Sequence, residues 1–293
     1  MTNREFLEEA LAYEGCPKDF AERYAYFCGY QKMAFDMLKE FVRVCDKHGI
    51  LYALSSGSLL GIVRDGGQIP WDYDVDLTVP YFEKDRLCRA LDEDLDGRYR
   101  YYVPGRDSRY RPSIMRIVPK GYMHQVIHVD VFFLIGLPED RNEREAYCRE
   151  VREKVRARMY VAERLSDYPY PLKTKLHNSL LKLKYLARYG KEATGDNDAL
   201  FSRYDLREAP CAAAVSTKCG KSVAPAARYL GAVKYHTKHG DFLVPGDYEE
   251  YLKMKYGDWT KYLPVEKRIR EVEKQCRLFE WYEGRMRKAS GKV

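Results

Sequence analysis

The chain contains no Cys-x-x-Cys pair among its eight cysteines, and no Cys/His cluster has the spacing of a zinc site. Cys28, Cys45 and Cys276 fall on the apolar stripes of expected helices, where a thiol acts as a small hydrophobe. No stretch approaches the roughly 18 consecutive apolar residues of a membrane-spanning helix. The longest apolar cluster, Val129 to Leu137, is broken by Asp130 and Gly136. The opening residues, Met-Thr-Asn-Arg-Glu-Phe-Leu-Glu-Glu, carry no apolar segment of the kind that directs export. These absences lead to the expectation of a reduced, cytoplasmic protein. Internal repeats and low-complexity tracts are also missing, which argues against a solenoid or a disordered linker.

What the chain does have is length and charge. Its 293 residues suffice to bury a sizeable core without disulfides or metal staples. Lys and Arg number 51 against 44 Asp and Glu, a net charge of +7. That excess is too weak to suggest nucleic acid as a partner. It is also uneven: between Arg149 and Lys191 lie twelve Lys/Arg and four Asp/Glu. This basic stretch reads either as an exposed, charged helical face or as a surface attracted to acidic membrane lipid or an anionic glycan. Tyr160, Tyr168, Tyr170, Tyr185 and Tyr189 are interleaved with its charges, in a pattern that suits sugar stacking and helix packing equally.

Hydrophobic periodicity predicts helices over 4–14, 22–49, 82–95, 247–256 and 265–287. Strands are expected at 51–54, 74–79, 99–103, 113–118 and 126–134, and a hairpin over 234–245. Residues 140–191 look helical and 194–225 look like a loop. The fold class is therefore α+β (α/β), a mixed sheet with flanking helices and a helical C-terminal extension. The expected division is a catalytic core over 1–139 and a mainly helical, acceptor-binding extension over 140–293.

One segment carries the chemistry. Ser55-Ser56-Gly57-Ser58-Leu59-Leu60-Gly61-Ile62-Val63-Arg64 is followed by Ile69-Pro70-Trp71-Asp72-Tyr73-Asp74-Val75-Asp76. On a strand, acids at alternate positions share one face, where like charges repel. A divalent cation relieves that conflict, and hard carboxylate oxygens suit Mg²⁺ or Mn²⁺. Asp74 and Asp76 are the better ligand pair. Asp72 reads equally as a ligand, as support behind the ligands or as a turn residue. Ser56, Gly57 and Ser58 lie at a strand-to-helix junction suited to a phosphate, and Arg64 could reach one of its oxygens or simply form a surface ion pair. Asp130 stands alone among apolar residues on a later strand, where burial demands a cation or a hydrogen-bonding partner. A calcium loop of the EF-hand type is a poor match, because position six from Asp72 is Leu77 rather than glycine. His128 is expected to face away from Asp130 and to be structural. His236 and His239 read as loop residues or as contacts to a substrate.

Gly-Ser, then Asp-x-Asp on a strand, then a lone Asp on a later strand resembles the nucleotidyltransferase superfamily of the DNA polymerase beta type. The longer string Ser-Gly-Ser-Leu-Leu-Gly-x-x-Arg…Ile-Pro-Trp-Asp-Tyr-Asp-Val-Asp resembles the LicD family within it. That family includes bacterial phosphocholine transferases and eukaryotic fukutin and fukutin-related proteins. Phe242-Leu243-Val244-Pro245…Tyr256-Gly257-Asp258-Trp259…Leu263-Pro264 is similar to its closing motif. The resemblance implies a phosphotransferase. It would move phosphocholine, or ribitol phosphate or another polyol phosphate, from a CDP-linked alcohol donor. The acceptor would be a glycan or lipid-linked glycan of lipopolysaccharide, teichoic acid or capsule, with the enzyme in peripheral contact with the inner membrane surface. Asp74, Asp76 and Asp130 would hold the metal, and Asp130 would share it or take the proton from the attacking hydroxyl. A true nucleotidyltransferase and a catalytically inactive glycan- or lipid-binding adaptor are the alternatives.

Overall fold

A computed structural model describes residues 1–106, 110, 112–162, 170–195 and 197–289. The N-terminal helices α1 (Asn3–Leu11) and α2 (Phe20–His48) form as the periodicity predicts. Thr2 caps α1 in a reciprocal capping box with Glu5, and Gly49 ends α2 in the left-handed conformation that a glycine adopts readily. There follow β1 (Ala53–Leu54), α3 (Ser56–Leu60), a π-turn over Gly61–Asp65 and β2 (Val75–Pro80). Next come α4 (Lys84–Asp94), β3 (Tyr99–Tyr102), β4 (Met115–Pro119) and β5 (Val129–Leu137). The basic stretch forms α5 (Arg141–Ala162) and α6 (Leu172–Tyr189). The remainder comprises α7 (Asp198–Phe201), β6 (Cys211–Ala214), β7 (Ala224–Pro225), α8 (Ala227–Leu230), the hairpin β8 (Val233–Thr237) and β9 (Gly240–Val244), α9 (Tyr248–Tyr256) and α10 (Val265–Ala289).

The sheet runs β1-β2-β5-β4-β3, with β6 and β7 added beside the far half of β5. Strands β2 and β5 are parallel and their neighbours antiparallel, so the class is mixed α+β as expected. Residues 211–214 and 224–225 depart from the loop expected over 194–225. Cys-Ala-Ala-Ala has neither alternation nor β-branching, but the backbone of β5 beyond its pairing with β4 needs partners, and β6 supplies them. The sheet thus continues past residue 139. One buried cluster joins Phe27 and Met37 of α2, Leu77 and Val129 of the sheet, and Val272 and Phe279 of α10. The rings of Tyr30 and Phe279 stack at 4.0 Å in this cluster.

The tyrosines of the basic stretch pack on one another. Tyr160 stacks on Tyr185 at 5.7 Å and Tyr185 on Tyr189 at 6.3 Å, which favours helix packing for these three. Tyr168 lies outside the described residues. Among the described residues no helix is long and apolar enough to cross a membrane.

Three hydrogen bonds fix the loop that brings Asp72 to β2. Gln31 of α2 donates from Nε2 to the carbonyls of Ile69 (2.9 Å) and Asp72 (2.8 Å), and the Tyr24 hydroxyl donates to Pro70 (2.9 Å). Gly61 then lets the π-turn lie directly on this loop. A Cβ there would fall 2.5 Å from the Gly67 carbonyl oxygen and 2.9 Å from the Ile69 nitrogen, both backbone atoms with little room to yield. Gly61→Ala is expected to destabilise the fold by about 1–3 kcal/mol. Thermal unfolding checks this, and an unchanged melting temperature would show that the turn is looser than described.

Candidate active site

Parallel pairing sets Asp76 on β2 directly beside Asp130 on β5. Adjacent strands lie about 4.8 Å apart, so two acids in register crowd each other. Asp72 and Asp74 precede β2 in the chain, and the Asp74 amide donates to Asp72 Oδ1 at 3.1 Å. Burial, then Asp130, Asp74 and Asp72, push the Asp76 pKa up to about 8. Asp74 reaches solvent at one side, yet the protein around it, with Asp72 and Asp130, raises its pKa to about 7. Asp72 is raised as well, chiefly by burial.

Asp130 behaves differently. Burial would raise its pKa, but His128 and the Arg116 fork outweigh burial and lower it. Arg116 stands opposite Asp130 across the β4–β5 pair and donates from Nε (2.7 Å) and Nη2 (3.3 Å). His128 has its own pKa lowered to about 4, first by burial and then by Arg116, so at neutral pH Arg116 carries the positive charge. A carboxylate held low is a weak base, which makes Asp130 a better cation ligand than a proton acceptor. The expectation that His128 faces away from Asp130 is corrected: its Nε2 lies 3.5 Å from Asp130 Oδ1. The reason is the two-residue period of extended chain, which sends residues two apart to the same face.

The Ser-Gly-Ser turn completes this face. Ser56 adopts φ +52°, a left-handed conformation that is costly for a residue with a Cβ. Its amide donates to the Tyr251 hydroxyl (3.2 Å), and its Oγ accepts from Lys255 Nζ (2.5 Å). Gly57 leaves space for Asp72, whose Oδ2 lies 2.8 Å from where a Cβ would be. Ser58 is committed to the fold, because its Oγ accepts from the Asp76 amide at 2.8 Å. Its hydroxyl therefore ties the turn to β2 instead of meeting an anion.

Arg64 also departs from its expected role. Its guanidinium donates to Asp65 Oδ2 from Nε (3.2 Å) and Nη2 (2.9 Å), and lies 4.6 Å from the Tyr262 ring centroid. Only 8% of the side chain is exposed, so this arginine joins the turn to the C-terminal motif rather than offering its fork to a phosphate. His236 pairs with Asp241 (2.7 Å) in the β8–β9 hairpin, and His239 packs edge-on against Phe35.

Two cavities flank the acid-bearing face and share Phe132 and Ser216. The first, of about 420 Å³, is lined by Ser56, Lys218, Lys221, Arg228, Tyr251 and Lys255. Arg228 is buried, paired with Asp247 (2.8 and 2.9 Å), and has an Nη1 with no hydrogen-bond partner. The second, of about 530 Å³, is lined by Arg116, His128, Met159, Tyr170, Leu278 and Tyr282, among others. Sequence reasoning missed Arg116, Lys255 and the other cations. Arg116 had a signal, as a lone charge on an apolar strand like Asp130. Lys255 had a weaker one, inside the closing motif.

Asp76 and Asp130 stand in register, and Asp72 and Asp74 add like charge beside them, a conflict that a divalent cation would relieve. Breaking the Arg116–Asp130 pair would test this. Arg116→Met is expected to cost about 3–5 kcal/mol without metal, since Asp130 is left buried and uncompensated. Added Mg²⁺ should recover part of that loss in thermal unfolding, and no recovery would remove Asp130 from the cation site.

The site is thus a mixed sheet with Asp76 and Asp130 on adjacent parallel strands and the Ser-Gly-Ser turn tied to β2 through Ser58. Residues 49–133 match the LicD/FKTN/FKRP nucleotidyltransferase domain. The chain is 24% identical over 254 residues to the lipopolysaccharide cholinephosphotransferase LicD of Haemophilus influenzae, covering 80% of this chain and 92% of that protein. It is also 50% identical over 50 residues to the ribitol 5-phosphate transferase FKRP of mouse and of human, covering 17% of this chain and 10% of each relative.

Proposed function

We propose that this chain transfers a phospho-alcohol group, phosphocholine in the first instance, from a CDP-linked donor to a hydroxyl of a cell-surface glycan or its lipid-linked precursor. The observation that carries the reading is the union of an acid face with a basic cleft beside it. Asp74, Asp76 and Asp130 would hold Mg²⁺ or Mn²⁺, which when bound neutralises phosphate charge and polarises the phosphorus centre. Ser56 and Lys255 stand where the acid face meets the cleft, positioned to take the donor diphosphate. Lys218, Lys221 and Arg228 extend the positive lining toward the nucleotide. The acceptor hydroxyl would enter from the cavity lined by Tyr170 and Tyr282. Its oxygen forms a bond to the β-phosphorus and gives up its proton to water, the bond from that phosphorus to the bridging oxygen breaks, and CMP leaves with the electron pair. Similarity to the Haemophilus influenzae cholinephosphotransferase along most of both chains supports phosphocholine as the group moved. The 50-residue likeness to FKRP favours a second reading in which ribitol phosphate is moved.

The test is incubation with Mg²⁺ and either CDP-choline, CDP-ribitol or nucleoside triphosphates, with products resolved by chromatography. CMP from a CDP-alcohol is expected, and the preferred donor distinguishes the two readings. Pyrophosphate from a triphosphate, with no CMP from any CDP-alcohol, would overturn the proposal in favour of nucleotidyl transfer.

A further inference from the structure

Helix α6 exposes a row of leucines that the fold leaves uncovered. Leu172 is 82% exposed, Leu176 64%, Leu180 59%, Leu183 64% and Leu186 38%. Their spacing of four, four, three and three residues sets them along one side of the helix. The opposite side, carrying Leu181, Tyr185 and Tyr189, packs against α5 through Ala157, Tyr160 and Val161. Burial of that side fixes the rotation of α6, so the leucines point away from the protein.

The charges that α6 itself carries are of one sign, and of them Arg188 also meets Glu153 of α5 at 3.3 Å. Between Leu172 and Tyr189 there are five Lys/Arg residues and no Asp or Glu. Projected at the helical period, Lys173, Lys184 and Arg188 fall on one flank of the leucines and Lys175 and Lys182 on the other. We propose that α6 lies in the plane of an anionic lipid bilayer, with its leucines in the acyl boundary and its lysines among the headgroups. Long lysine stems reach upward from such a position to the charged layer. A second copy of the chain fits this surface less well. It would bring two cationic helices together with no acid on either to pair with them.

The placement has a consequence for the acid face. Tyr170, two residues before α6, lines the apolar cavity that also holds Arg116, His128 and Phe132. A bilayer seated on α6 would bring that cavity near lipid-borne acceptors. This last step rests on the transfer reading, whereas bilayer binding itself does not.

Flotation with vesicles of phosphatidylcholine alone, or of phosphatidylcholine with phosphatidylglycerol, tests the proposal without donor or turnover. The full chain should float with the anionic vesicles and bind the neutral ones at least about tenfold more weakly. A Leu176→Ser/Leu180→Ser/Leu183→Ser variant should lose binding to anionic vesicles about tenfold or more while keeping its melting temperature, because these side chains are already exposed. A Lys173→Gln/Lys175→Gln/Lys184→Gln variant should lose the preference for anionic lipid. Failure of the unaltered protein to float, or undiminished binding by the leucine variant, overturns the proposal. So does light scattering that shows a dimer lost in the leucine variant without any vesicle binding, which would assign the row to a second copy.

Discussion

Asp76→Asn should lower transfer by about 10³-fold or more and, in the absence of metal, should raise the melting temperature. The two effects have one cause. Asp76 is crowded by Asp130 in the neighbouring strand and by Asp74 and Asp72 before it, and burial weakens the screening that water would supply. Without a cation this arrangement works against folding, because each ionised acid raises the cost of the next. Asparagine keeps the size and hydrogen-bonding capacity of the side chain and removes its charge. The gain expected in EDTA is about 1–3 kcal/mol, or roughly 2–5 °C for a chain of this size. With Mg²⁺ the order should reverse, since the native acids gain a ligand-bound cation and the variant has lost one donor. Calorimetry in EDTA and in Mg²⁺, alongside CMP release, measures all three quantities. A variant that melts lower than the parent in EDTA would mean that Asp76 is structurally paired and not part of a cation site.

The difference between what sequence reveals and what folding adds is clear at this site. The acids were legible because charge is rare on an apolar strand and because the two-residue period assigns faces. The same rule, applied to His128 and Asp130, would have set them side by side. The sequence shows that Asp130 needs a partner, yet the partner's identity depends on the register of β4 against β5, which no local pattern specifies. Arg64 illustrates the opposite case. An arginine six residues after Ser58 suggests phosphate binding, but the sequence does not show that Trp259 and Tyr262 return from nearly two hundred residues away to enclose it. Among the secondary elements, long periodic helices were the clearest. The strand at Cys211–Ala214 was not visible, because its reason for existing is the open backbone of β5 and not its own side chains.

Lys255 is the cation whose removal should affect donor use most. It stands on α9, one turn after Tyr251, and its Nζ meets both the Ser56 hydroxyl (2.5 Å) and the Tyr251 hydroxyl (3.4 Å). Its positive charge also lowers the pKa of Asp76, which links the basic cleft to the acid face. A lysine held by hydroxyls, with no carboxylate bonded to it, keeps its charge available for an anion. Lys255→Met is therefore expected to lower kcat/KM for the donor by about 10²-fold, equivalent to about 2.7 kcal/mol. The melting temperature should change little, because the side chain is exposed and makes no buried ion pair. Lys255→Arg keeps the charge but changes its shape, and partial recovery is expected. If charge on the departing CMP is what Lys255 offsets, kcat should fall more than KM rises; if it only docks the diphosphate, the loss should appear in KM. Unchanged kinetics for Lys255→Met would separate the cleft from the reaction and leave the acid face to act with another source of positive charge.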